Sequence, residues 1–211
     1  MNPSRRVPVY LAAIAVIVSA GAAEAQQNDA AAPVNRKAAF GKFLAGAAIG
    51  FGAHETGHVI FDVLFDAEPG IDKVDFHGIP FFAITHRSDV SPKQEFAISS
   101  AGFWVQHAGS EWLLTKRPQL RREHAPFAKG VLAFNVLAST AYAGAAFAQT
   151  GPAERDTRGM AVASGIPEPW IGALILTPAV MDAWRYYDPD ARWPVWVSRS
   201  LKIAGVLLIL K

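Results

Sequence analysis

The chain contains no cysteine. No disulfide can form, and any bound metal falls to histidine, aspartate or glutamate, which excludes a cysteine-based structural zinc site and suits a catalytic one. Strong charge is missing too: a formal net charge of +2 over 211 residues, with a pI near 9.0, is mild. No stretch interleaves basic with aromatic residues, so nucleic acid is not expected as a partner. There is no internal repeat and no low-complexity segment beyond one alanine-rich stretch. The length fits one domain and leaves no room for a separate substrate-selecting module. What is abundant is apolar: 51% hydrophobic residues and a mean hydropathy of +0.18, high for a soluble enzyme and low for a fully buried transporter.

The N-terminus reads as an export signal. Arg5 and Arg6 precede an apolar run from Val7 to Ala20, and Ala23-Glu24-Ala25 has the small-x-small form of a cleavage site. Residues 1–25 are therefore expected to be a signal peptide, or an anchor helix if uncleaved. Residues 26–37 read as a flexible polar lead-in, and residues 38–211 as a single helical domain.

Inside the next apolar stretch lies His54-Glu55-Thr56-Gly57-His58. On a helix the two imidazoles project from one face, close enough to share a zinc ion, with Glu55 beside it to activate a metal-bound water. With six histidines in the chain, on the order of 0.006 such patterns are expected by chance. Two satisfied core histidines are the plainer alternative. Five glycines (41, 46, 50, 52 and 57) run through the segment, which costs helix stability unless another backbone packs close. The spacing Gly46-Ala-Ala-Ile-Gly50 permits such contact, within the chain or between chains.

Segments alternate after that. The first, 38–65, is long enough to cross a bilayer, and the ionisable groups at that depth imply function. A connector over 66–92 carries Val74, Phe76, Ile79, Phe81 and Ile84 between Gly and Pro breaks and predicts a short hairpin. A helix over 92–115 starts through Ser91-Pro92, with His107 and Glu111 four apart on one face, read as an internal hydrogen bond or as extra metal or substrate contacts. A basic loop follows over 115–124. Three more apolar helices are expected, at 127–148 with Asn135, at 170–186 with Asp182, and at 195–210. The expected fold is mainly α, a polytopic membrane helix bundle with a hairpin-like connector. An exported N-terminus followed by spans at 38–65 and 92–115 would leave the basic loop outside, against the tendency of basic loops to stay inside. Either the first span is partly inserted, or the connector is buried at membrane depth.

A zinc site needs a third protein ligand. Asp156 and Asp182 are the leading candidates, with Glu111 and Glu154 behind them. A helix N-cap is the alternative role for Asp156, and a partnership with Arg185 the alternative for Asp182. Asp62, four residues beyond His58, is placed to orient that imidazole.

The order of HExGH helix, hairpin, a helix bearing Ala101-Gly102-Phe103-Trp104-Val105-Gln106, and an apolar helix with Asn135 resembles the intramembrane site-2 protease family over roughly residues 38–160. Phe103 stands where that family has proline, and Gln106 where it has asparagine. Pro152-Ala153-Glu154-Arg155-Asp156 follows the apolar helix in the family's order, with Gly159 three residues beyond the aspartate; Pro178-Ala179-Val180-Met181-Asp182 is similar to another part of the same motif. The order favours Asp156. The resemblance implies peptide hydrolysis in or at the membrane with Zn2+ held by His54, His58 and Asp156, Glu55 as general base, membrane lipid as surroundings, and a peptide or membrane protein as substrate. A periplasmic soluble metallopeptidase and a non-catalytic metal-binding or structural membrane protein are the alternatives.

Overall fold

Asn35 starts the first helix by accepting from the backbone N–H groups of Lys37 and Ala38, two of the donors a helix start leaves open. From there a computed structural model describes residues 35–76 and 79–210. The signal-peptide expectation lies outside the described residues. Helix α1 spans Arg36–Leu64, and strands β1 (Gly70–Phe76) and β2 (Ile79–Thr85) pair antiparallel from Gly70 opposite Thr85 to Phe76 opposite Ile79. Helix α2 (Pro92–Lys116) begins in a capping box, with Ser91 accepting from Gln94 N–H and the Gln94 side chain accepting from Ser91 N–H. Then follow α3 (Pro126–Ala148), the short α4 (Asp156–Ser164), α5 (Glu168–Tyr187) and α6 (Trp193–Leu210). Among the described residues the chain is mainly helical with one two-stranded sheet. The expected helices are all found, and α4 is an addition, lodged in what read as a Gly/Pro-bounded stretch.

Glycine explains how closely the helices approach. A Cβ at Gly46 would collide with the Phe127 carbonyl, and one at Gly130 with the Phe43 carbonyl. Here α1 and α3 run side by side in the same direction, so the Gly46–Gly50 spacing serves contact within the chain. α2 returns antiparallel to α1, its Ala101 backbone seated against Gly57. That contact is why a glycine fits inside the histidine motif. A buried cluster of Phe96, Phe103, Ala143, Met160, Ile171 and Ile175 joins α2, α3, α4 and α5.

Burial is sorted in an unusual way. Ser198 and Lys202 of α6 are buried at 0% and 8% exposure, whereas Ile203 and Leu207 on the same helix are 62% and 59% exposed. Gln106, His107, Ser110, Asn135, Ser139, Asp182 and Arg185 are likewise inside, while Leu137, Val180 and Trp184 face outward. Among the described helices, α3 alone is long and apolar enough by composition to cross a membrane.

Candidate metal centre

Because α2 runs antiparallel to α1, the imidazoles on the inner face of α1 meet the middle of α2. His58 Nδ1 lies 2.8 Å from the Ile98 carbonyl oxygen. A carbonyl only accepts, so Nδ1 carries the hydrogen and Nε2 of the neutral ring presents a lone pair. Asp62, expected to orient this imidazole, does not. A main-chain carbonyl that no sequence pattern marks performs that task. The His54 ring lies over Gly102, where a Cβ would overlap its Cε1, Nδ1 and Nε2. The glycine of the Ala101-Gly102 pair thus leaves the ring its space.

Asp156 completes the arrangement. Arg155 is held by Glu168 at 2.7 Å through both guanidinium nitrogens Nε and Nη2, and it donates to the Pro152 carbonyl at 2.9 Å. This clamp fixes the entry into α4, and Asp156 becomes its first residue. Arg155 is the N-cap position and makes no side-chain cap, so the N-cap role weighed for Asp156 is not the one it has. Its Oδ2 lies 3.2 Å from His54 Nε2 and 3.5 Å from His58 Nε2, and the two Nε2 atoms are 3.2 Å apart.

Those three spacings test whether a metal fits. Ligand atoms bound tetrahedrally at about 2.0–2.1 Å stand about 3.3 Å from one another, close to what is observed. A single proton on His54 Nε2 can serve only one of its two acceptor neighbours, whereas a cation among them serves all three. His54, His58 and Asp156 form a group that could hold a metal ion, the one such group of three or more among the described residues. The His54 ring meets Phe103 edge-on at 5.3 Å. Tyr142 packs 5.9 Å from His54 and lies close enough to Asp156 to feel its charge. Nothing in the sequence pointed to Tyr142. Glu55, half-buried, is close enough to His54, His58 and Asp156 to feel their charges.

The other proposed ligands lie elsewhere. Asp182 accepts from Lys202 at 2.8 and 2.7 Å, from Ser198 at 2.8 Å and from Arg185 at 3.3 Å. Glu111 accepts from Arg185 and Arg199 at 2.6 and 2.8 Å. Glu154 is exposed. His107 is buried and makes no hydrogen bond to Glu111, which pairs instead with cations of α5 and α6.

A second imidazole lies near the hairpin. His86 Nε2 is 2.7 Å from Glu95 Oε2, and its Nδ1 is 3.5 Å from Asp62 Oδ1. The Glu95 hydrogen bond, aided by the charges of Glu95 and Asp62, raises the His86 pKa above its usual value. Asp62 therefore faces the connector and not the metal group. Compared with family models, curated proteins and solved structures, the chain finds no match.

Proposed function

We propose that this chain is a zinc-dependent peptidase embedded in a membrane. The observation that carries the reading is the convergence of two imidazole nitrogens and one carboxylate oxygen, 3.2 to 3.5 Å apart, beside a half-buried glutamate. Two nitrogens and an oxygen suit zinc, and three protein ligands leave the fourth position open, as in catalytic sites. When bound, the ion would lower the pKa of water and polarise a peptide carbonyl.

The chain's own residues supply the rest. His54 and His58 would hold the ion through Nε2, and the Ile98 carbonyl keeps the His58 tautomer in place. Asp156 would bring the negative charge, with Tyr142 beside it. Glu55 removes the proton from the attacking water and returns it to the amine that leaves, so one carboxylate serves both halves of the hydrolysis.

Polar-inside, apolar-outside burial supports the membrane setting. In water, α6 with its lysine inward and its leucine outward would be the wrong way round. In lipid the same arrangement is required, because buried polar groups must find partners inside the protein while the exterior meets hydrocarbon. Close glycine-mediated contacts between helices fit the same setting. On this reading several of the long helices span together, α3 as the most apolar, and the substrate is a peptide segment of a membrane protein.

Metal analysis of the purified full-length chain, combined with hydrolysis of a membrane-inserted peptide, tests the proposal. One zinc per chain is expected in wild type and in Glu55→Gln, and none in His58→Ala. Hydrolysis should fall by about 10²–10⁴ in Glu55→Gln. A wild-type chain without zinc, or a Glu55→Gln variant as active as wild type, overturns it.

A further inference from the structure

We infer that Tyr142 is a further catalytic residue, its hydroxyl donating a hydrogen bond to the carbonyl oxygen of the peptide being cut as that oxygen gains negative charge. The inference rests on the peptidase reading above and supplies the hydrogen-bond donor which that reading lacks.

Peptide hydrolysis calls for such a donor. As water adds to the carbonyl carbon, a carbon–oxygen bond forms and the π pair of the carbonyl moves onto its own oxygen, while Glu55 takes the proton the water gives up. When the carbon–nitrogen bond breaks, that pair re-forms the carbonyl and Glu55 returns the proton to the departing amine. Between the two events the oxygen carries the charge, and a donor already aimed at it lowers the barrier. The other neighbours of the three ligand atoms cannot serve. Glu55 is the base, Asp156 is a carboxylate, the Ile98 carbonyl only accepts, and Phe103 is apolar. In both imidazoles the N–H that remains when Nε2 holds an ion is at Nδ1, on the side of the ring turned away from it. A phenol keeps its proton at neutral pH and donates it to a hydrogen bond.

Packing brings the phenol to the place where charge develops. Asn135, Ser139, Ala143 and Ala146 mark the buried face of α3, and Tyr142 sits on its edge, half-buried. It lies close enough to Asp156, and to Glu55, to feel both charges. One of these carboxylates would hold the ion and the other activates water, so the hydroxyl borders both partners of the reacting carbonyl. Three rings fix its direction. Tyr142 lies 5.9 Å from His54 with the planes 32° apart, and meets Phe103 edge-on at 5.1 Å and 88°. Phe103 in turn meets His54 at 5.3 Å, which closes the triangle.

The triangle is anchored on both helices that contribute to it. Phe103 of α2 and Ala143 of α3 belong to one buried cluster, and Tyr142 packs against that cluster. On the other side of α3, a Cβ at Gly172 of α5 would press on the Ala146 side chain and the Ala143 carbonyl, so α5 seats closely there. A donor held in this way needs no reorganisation when the charge appears. Phe103 occupies the position where the site-2 protease family has proline, so the ring that braces Tyr142 belongs to this chain.

Tyr142→Phe tests the assignment, because it removes the hydroxyl and keeps the ring with its contacts to His54 and Phe103. The purified full-length chain is stripped of metal and titrated with zinc, and kcat and KM are measured on the membrane-inserted peptide. Calorimetry then follows two probes. One is a phosphinic peptide, whose tetrahedral phosphorus imitates the carbon to which water has added; the other is the matching amide peptide, bound in a Glu55→Gln background so that it is not cut. In Tyr142→Phe, kcat should fall on the order of 10²–10³-fold with KM and zinc affinity unchanged. Affinity for the phosphinic peptide should fall by a similar factor, and affinity for the amide peptide should hold. Zinc affinity falling in step with kcat would assign the hydroxyl to steadying Asp156 and overturn the inference, and so would equal weakening of the two probes. A wild type without zinc or hydrolysis overturns the peptidase reading and this one together, whereas a wild type with both and an equally active Tyr142→Phe overturns this one alone.

Discussion

Two buried polar clusters lie between the helices, and they differ in how their charges are answered. Around Asp182, every carboxylate faces a cation: Lys202 and Arg185 reach Asp182, while Arg185, Arg199 and Lys202 reach Glu111. That cluster is complete within the chain, and it ties α6, polar side inward, to α2 and α5. Around Asp156 the neighbours are two imidazole nitrogens, one of them committed by the Ile98 carbonyl to presenting a lone pair. Acceptors converge there on one point. A buried group that is answered internally is structural, whereas acceptors that point at each other describe a place for a cation.

The difference is tested most strongly by neutralising the two aspartates in parallel. Asp182→Asn removes the main partner of Lys202, which is 8% exposed, and leaves its charge poorly compensated. A loss on the order of 3 kcal/mol of stability is expected, with zinc stoichiometry unchanged in the protein that folds. Asp156→Asn should do the reverse. It removes a charged ligand but relieves desolvation, so stability without metal should hold while zinc affinity falls by more than the roughly 10–100-fold typical of losing an outer partner. Chemical denaturation paired with metal titration separates the two. Equal zinc loss in both variants would erase the distinction.

Gly102→Ala sharpens the comparison on the metal side alone. A Cβ there would overlap the His54 ring, so the ring must turn or α2 must shift. Zinc affinity should drop by roughly 10–100-fold, as for other changes in ligand orientation. Gly109→Ala on the same helix is the control, because its nearest neighbour would be Asn135 Nδ2 at an ordinary 3.8 Å. Metal affinity unchanged in Gly102→Ala would mean that the glycine serves helix approach only.

The same residues show what could be read in advance. His54 and His58 were legible because a helical period places positions four apart on one face, a rule that needs no tertiary knowledge. Asp156 and Asp182 could not be separated by chemistry, since Asp156 follows an apolar helix, Asp182 lies within one, and both are close to a proline and an arginine. What separates them is the Arg155–Glu168 clamp that starts α4 and the lysine that α6 brings to Asp182. Both are contacts between distant segments. Helix α4 itself, nine residues long, is too short and too polar to announce itself by periodicity. In α6, Ser198 and Lys202 are spaced as a polar face, and polar faces are read as solvated by default; their burial appears only once the helices are assembled.

His86 carries the smallest expected effect, and it probes a third kind of cluster, in which an imidazole bridges two carboxylates. Its pKa is raised by Glu95 first, with Asp62 adding to the effect. A basic group whose pKa rises on folding stabilises the folded state fully at pH below its unfolded value of about 6.5, and that contribution fades as pH climbs through the raised folded value. Facing His86 are Asp62 from α1 and Glu95 from α2, with His58 near enough to oppose its charge. Thermal unfolding of the wild type from pH 6 upward should therefore show a decline that His86→Gln lacks. Because the imidazole is partly exposed, at 17%, solvent screens the charges and the difference should be modest, a few degrees at most in melting temperature. The two curves should separate at low pH and converge at high pH, where the wild-type imidazole is neutral. Parallel curves at all pH values would mean that His86 holds the hairpin end by packing and hydrogen bonding alone, and that its charge contributes nothing there.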